Sequence, residues 1–210
     1  MTALELEDRK RVTQEPSATG RQFMRTFAKT HPHFFRALLA DARCAARNLG
    51  RTIEPATRLR VACEVLRLAA TTDAFIGLVL YRAKARLQAF GIPVLPRIAH
   101  RLAMMTSQIC IGDPVVIEAG VYIPHGQVVI DGFVTIGKGT TIRPWVTVGL
   151  KEGNFQGPKI GRNVNIGTGA KIIGPVTIGN GAAIGANAVV LQDVPARATA
   201  IGVPAKVIER

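Results

Sequence analysis

The chain has 210 residues, 48% of them hydrophobic and 20% charged, with a formal net charge of +13; that length buries a sizeable core without disulfide or metal staples. Its apolar run around 74–81 is far short of the roughly 20 residues that cross a bilayer, and the opening MTALELEDRK is acidic where a secretory leader is basic and then apolar. A cytoplasmic protein with no integral membrane segment is expected, and Cys44, Cys63 and Cys110, odd in number and without CxxC spacing, read as reduced, buried thiols rather than a disulfide framework or zinc ribbon.

Residues 1–20 are polar with no apolar period and are expected to be disordered, and 21–106 to form a helical domain. The first helix starts near Thr30 with Pro32 in its first turn, carries Phe35, Leu38, Leu39, Ala42 and Ala45 as a stripe, and stops at Gly50. A second runs from about Pro55 to Ala70 with Leu59, Cys63, Leu66 and Ala70 on one face. Thr71 or Thr72 caps a third over 74–90, and a short amphipathic segment follows over 97–105. Residues 1–105 hold 18 Lys/Arg against 8 Asp/Glu, and residues 106–210 hold 9 against 6, so the positive excess belongs to these helices. No aromatics interleave with the basic residues and no nucleic-acid motif is present, which reads as solvated helix faces and not as a nucleic-acid partner.

A different grammar begins at Ile109. Of the 21 glycines, 17 fall after residue 105, and aliphatic anchors recur every six residues. They are Ile111, Ile117 and Ile123; after a one-residue slip, Ile130, Ile136, Ile142 and Val148; then Ile160, Ile166, Ile172, Ile178, Ile184 and Val190. Two residues before most anchors stands a small or β-branched residue such as Val115, Thr140 or Ala170. Neither a helix nor an alternating strand has that step. One hexad makes a short strand and a turn of about 120°, so three close a triangular coil whose anchors stack inward as ladders, a hexapeptide-repeat solenoid. The fold class is α+β by content, with a helical N-terminal region, a parallel β-helix over 107–193 interrupted by a loop over 149–158, and a C-terminal segment over 194–210.

The runs IGDPVVIEAGVYIPHG and GPKIGRNVNIGTGAKIIGPVTIGNGAAIGANAVVLQDVP and the ending GVPAKVI, after a helical half, resemble the serine acetyltransferases among the left-handed parallel β-helix acyltransferases. The resemblance implies left-handed coils, acetyl-CoA as acyl donor, no metal, and a homotrimer, or a hexamer if the N-terminal helices pair trimers. It places His125 at the catalytic base, a neutral imidazole that takes a proton from an acceptor hydroxyl during direct transfer. His31, His33 and His100 read as surface or capping residues. By the same resemblance Thr168 and Ala186 contact pantetheine through their backbones, and Lys171 and Lys206 are candidate phosphate partners.

Departures from the family pattern carry as much information. The acidic residue that orients the base stands 15 positions upstream in the family, where this chain has Cys110. Asp113 is the preferred replacement, as the nearest acid, with Glu118 and Asp131 as alternatives. The family grips serine with an aspartate just before the base and an Arg-His-Pro in the long loop, and this charged grip is absent: the positions read Pro124 and Gln156-Gly157-Pro158. Trp145, Asn154, Phe155 and Gln156 are the candidate acceptor-binding residues, which suits a sugar, a polysaccharide unit or another small metabolite and makes serine a poor acceptor. Serine O-acetylation is the alternative, and a noncatalytic hexapeptide-repeat scaffold or basic interaction protein is the alternative of another class. A carbonic anhydrase on this prism needs three histidines around zinc, and the repeat region has one. Cys110 as a nucleophile has no recognisable base beside it in the sequence.

Overall fold

A computed structural model describes residues 30–51, 58–154 and 156–208. The stretch 1–20, the start of the second helix near Pro55 and Phe155 lie outside the described residues. Among the described residues four helices, α1 (Phe34–Asn48), α2 (Arg58–Thr71), α3 (Phe75–Ala89) and α4 (Leu95–Ser107), precede fourteen short strands from β1 (Ile109–Ile111) to β14 (Lys206–Ile208).

The inward faces of the helices match the expected ones only in part. In α1 Ala42 and Ala45 of the expected stripe are buried together with Ala37, Asp41 and Ala46, Leu38 and Leu39 are half-buried, and Phe35 stands exposed. In α2 Leu68 is buried, with Val65 and Ala69 packed beside it, and the expected face with Cys63, Leu66 and Ala70 looks outward. In α4 Pro96, Ala99 and Ala103 are buried, and Leu95, Ile98, Leu102 and Met105 are exposed. Small side chains let helix backbones approach closely, so in α1 and α4 the alanines take the interior and Phe35, Ile98 and Leu102 stay outside. Cys63 is exposed and Cys44 and Cys110 are half-buried, against the expectation of buried thiols; all three are free.

Neither threonine caps α3. The Thr71 and Thr72 hydroxyls donate back to the carbonyls of Arg67 (2.7 Å) and Leu68 (2.5 Å), and Ala74 occupies the N-cap position. This leaves Asp73 just outside the helix.

The strands coil into a left-handed prism of three parallel faces. Face 1 is β1, β3 (Val128–Ile130), β6 (Thr147–Gly149), β9 (Lys171–Ile173) and β12 (Val189–Val190). Face 2 is β2 (Val116–Ile117), β4 (Phe133–Ile136), β7 (Gln156–Ile160) and β10 (Thr177–Ile178), and face 3 is β5 (Thr141–Ile142), β8 (Asn165–Ile166), β11 (Ala183–Ile184) and β13 (Thr199–Ile201), to which β14 adds antiparallel to β13. All thirteen anchors are buried, none more than 5% exposed. The preceding small residues Val115, Thr140 and Ala170 are fully buried as well. Their hexad step is therefore the step of the ladder. Coiling continues past residue 193, because Val194 pairs with Ile178 and β13 (Thr199–Ile201) extends face 3.

An open end of such a prism presents unpaired backbone carbonyls, and α3 covers them. Tyr81 Oη donates to the Val115 carbonyl (2.9 Å). Arg82 donates to the carbonyls of Ile117 (2.5 Å) and Glu118 (2.8 Å), and Lys84 Nζ to that of Ile111 (2.5 Å). Arg82 Nε also meets Asp41 Oδ2 at 2.9 Å, and Asp41 Oδ1 accepts from the Gly120 amide at 2.7 Å. The buried ion pair thus joins α1, α3 and the first coil.

Candidate active site

The prism has three corner columns, and the sequence distributes its candidate residues among them. His125 lies between Tyr122, bridged to β5 on face 3, and β3 (Val128–Ile130) on face 1. The next coils place Trp145, Thr168 and Ala186 on that corner. Trp145 N donates to Gln127 O (2.9 Å), Gly169 N to Pro144 O (2.9 Å), and Asn187 N to Thr168 O (2.8 Å), which ties the column together. Four of the expected residues therefore share one edge. Lys171 joins them, its Nζ donating to the Trp145 carbonyl at 2.6 Å, so its ammonium braces this corner. Lys206 is exposed on the terminal strand β14.

Gly126 explains how His125 is seated. A Cβ there would lie 1.8 Å from the Ser107 carbonyl oxygen at the end of α4, so only glycine lets the corner pack against the helix. The His125 side chain is 58% exposed, and its Nδ1 lies 2.8 Å from Asp73 Oδ2. Sequence reasoning missed this aspartate, which stands 52 residues upstream in the chain and carries no periodic mark.

The three acids weighed from the sequence belong to other corners. Asp113 and Asp131 lie where face 1 passes to face 2, and Glu118 where face 2 passes to face 3. Asp113 is corrected as the orienter: its Oδ1 sits 3.1 Å from Lys84 Nζ. Burial alone would raise its pKa, but the Lys84 ammonium holds the carboxyl below its ordinary value. Glu118 pairs with Arg162 (3.2 Å) and accepts from the Lys138 amide (2.9 Å). Nearness in sequence misled because consecutive hexads occupy different corners.

Asn154 and Gln156 stand at the face 1 to face 2 corner, away from His125 within one chain. The Asn154 side chain accepts from the Gln156 amide (2.8 Å), and β7 (Gln156–Ile160) begins there, so the loop closes earlier than the expected 149–158. With Phe133, Lys159, Pro175 and Thr177 they line a groove of about 750 Å³ on face 2. Gly157 is buried there, and a Cβ on it would come within 2.6 Å of Val134 Cγ2. A histidine does not fit at that position in this backbone. Burial, with Asp131 adding, pushes the Cys110 thiol above its ordinary pKa, which keeps it protonated and poorly nucleophilic near neutral pH.

Residues 157–192 match the bacterial transferase hexapeptide family of six repeats, and 109–124 the hexapeptide repeat of succinyl-transferase. Serine acetyltransferase of Helicobacter pylori (strain J99) is 38% identical over 138 residues, which is 64% of this chain and 80% of that protein. The chain belongs to the serine acetyltransferase family. Serine acetyltransferase of Synechococcus elongatus is 35% identical over 139 residues, 65% of this chain, and the chain spans 57% of that relative's length. A solved serine acetyltransferase in complex with CoA superposes with a TM-score of 0.71 at 25% identity, covering 87% of this chain and 73% of the other. This is a family of acetyltransferase enzymes, and its members favour the serine reading over the sugar reading held first above.

Proposed function

We propose that the chain is an acetyl-CoA-dependent O-acetyltransferase whose acceptor is serine. The observation that carries the reading is His125, the one histidine of the prism, exposed on the corner column of Trp145, Thr168 and Ala186 in a chain whose relatives are serine acetyltransferases. With Nδ1 engaged, Nε2 is the nitrogen left to accept a proton. His125 takes the acceptor hydroxyl proton as that oxygen bonds to the thioester carbonyl carbon, and returns it to the sulfur as the C–S bond breaks. Backbone N–H groups along the edge hold the oxyanion, Thr168 and Ala186 face the pantetheine arm, and no acyl-enzyme is formed.

The acceptor side requires a second copy. Asn154 and Gln156 occupy another corner of their own prism, so a neighbouring chain is needed to bring such a loop to His125, which supports a homotrimer, or a hexamer through the helices. A stable monomer in light scattering at micromolar concentration would overturn the shared site.

One observation favours a second reading, an uncharged hydroxyl on a sugar, polysaccharide unit or small metabolite. Pro124, Gln156 and Gly157 carry no charge where the family grips serine, and two missing charge-assisted bonds cost about 3–6 kcal/mol, on the order of 10²–10⁴ in kcat/KM. Thiol release from acetyl-CoA against a panel of acceptors separates the two. Serine turnover at about 10⁴ M⁻¹s⁻¹ or more supports the serine reading, whereas an inert serine beside a rapidly acetylated polyol replaces it. In either case His125→Ala lowers turnover by about 10²–10⁴ and leaves CoA affinity unchanged.

A further inference from the structure

We infer that Asp73, from the connection between α2 and α3, is the residue that positions His125, replacing the acid that the cysteine at 110 displaces from the prism. The inference rests on His125 acting as the base.

Three observations converge on it. Asp73 Oδ2 stands 2.8 Å from His125 Nδ1, within the range of a charge-assisted hydrogen bond, across 52 residues of sequence. The acids of the first two coils are elsewhere: Asp113 holds Lys84, Glu118 holds Arg162, and Asp131 lies at the corner of Asp113. Asp73 stands one residue before the N-cap Ala74, α3 has no side-chain cap bond, and the carboxylate reaches the prism.

The pair is not there for stability. Its side chains are 58% and 74% exposed, and a polar contact so open to water contributes little to the fold. A carboxylate on Nδ1 sets the tautomer and fixes the ring, so that Nε2 presents its lone pair outward. In this role Asp73 is a positioning residue that acts through His125. The helical region therefore supplies a working part of the site, held in register by the α3 contacts with the first coil.

The test compares Asp73→Asn, His125→Ala and the double variant in thiol release with the acceptor found active in the panel, with Asp131→Asn as control. Asp73→Asn is expected to lower kcat about tenfold to a hundredfold, with the KM for acetyl-CoA and the melting temperature unchanged, and Asp131→Asn to stay within twofold. On the His125→Ala background the same change is expected to cost less than twofold, because a residue that acts through the imidazole has nothing left to position. An independent readout is the ¹⁵N spectrum of the His125 ring above neutral pH, expected to report the Nδ1–H tautomer in the wild type and a shift toward Nε2–H in Asp73→Asn. Near-normal kcat in Asp73→Asn, an equal loss with and without His125, or an Nε2–H ring in the wild type overturns the role of Asp73. Near-normal turnover in His125→Ala overturns the base itself, a separate failure.

Discussion

Trp145 occupies a left-handed corner at φ +66°, a conformation that costs a bulky side chain about 1–2 kcal/mol relative to glycine. Equivalent corner positions in later coils hold Gly169 and Asn187, residues that adopt it readily. The indole is 59% exposed, so burial does not offset the strain. Strain kept at an exposed corner beside His125 points to use in acceptor or neighbour contact. Trp145→Asn is accordingly expected to raise stability by about 1 kcal/mol in chemical denaturation while raising the acceptor KM several-fold; a loss of stability would remove the strain argument. His31 supplies a pH dependence. Burial first, then Arg82 and Lys84, lowers its pKa from 6.5 to about 4. The unfolded chain binds this proton below about pH 6.5 and the folded one does not, so the contribution is intact at pH 7 and is lost as pH falls toward about 4. Because the ring retains some solvent access, about 1–2 kcal/mol is expected. Melting temperatures of wild type and His31→Gln between pH 7 and 5 check it: the wild type should fall more steeply.

Among the elements, the strands show how little local structure the prism needs. In β3 (Val128–Ile130), Val128 and Ile130 are fully buried and Val129 between them is 43% exposed. Each buried side chain packs on the anchors of the coils before and after, so the ladder is stabilised by stacking rather than by strand length. Ile130→Ala is expected to cost about 2–5 kcal/mol and Val129→Ala less than about 1 kcal/mol, read from urea midpoints of the two variants. The helices follow another rule. The alanines of α1 and α4 go inward, and the larger apolar residues of α4 stay outside. Hydrophobic period announced both α1 and α2; in α1 it placed Ala42 and Ala45 on the buried side and erred at Phe35, while in α2 it chose the face that looks outward, because period alone does not say which neighbour a helix will meet.

At the scale of the molecule, the helical region and the prism are joined through buried charge. Arg82 and Asp41 are almost fully buried, and their remaining bonds go to Gly120, Val121, Ile117 and Glu118 of the first coil. Removing one partner leaves the other charge buried without compensation, so Asp41→Asn is expected to cost about 3–5 kcal/mol. Activity should fall at temperatures where the fold persists, because the junction sets the register between Asp73 and His125; denaturation and thiol release measured on the same preparation check both effects. Unchanged activity in a destabilised Asp41→Asn would separate the junction from the site.

How much of this was legible beforehand depended on sequence distance. The hexad step was visible because each coil repeats the same local requirement, an aliphatic anchor and a small neighbour, and thirteen buried anchors obey it. Resemblance supplied His125, since its flanking residues are matched as a contiguous run. The partner of His125 had no such mark: Asp73 is far upstream, exposed, and ordinary for the start of a helix. Its place beside the imidazole follows from the docking of α3 on the open carbonyls of the first coil. The same docking explains why Asp113, only 12 residues from His125, fails as its partner, for Lys84 comes down from that helix to take it. Period and motif are written by contacts between neighbours in the chain, whereas the pairing of a base with its orienter is a product of how the helices and the prism dock on each other.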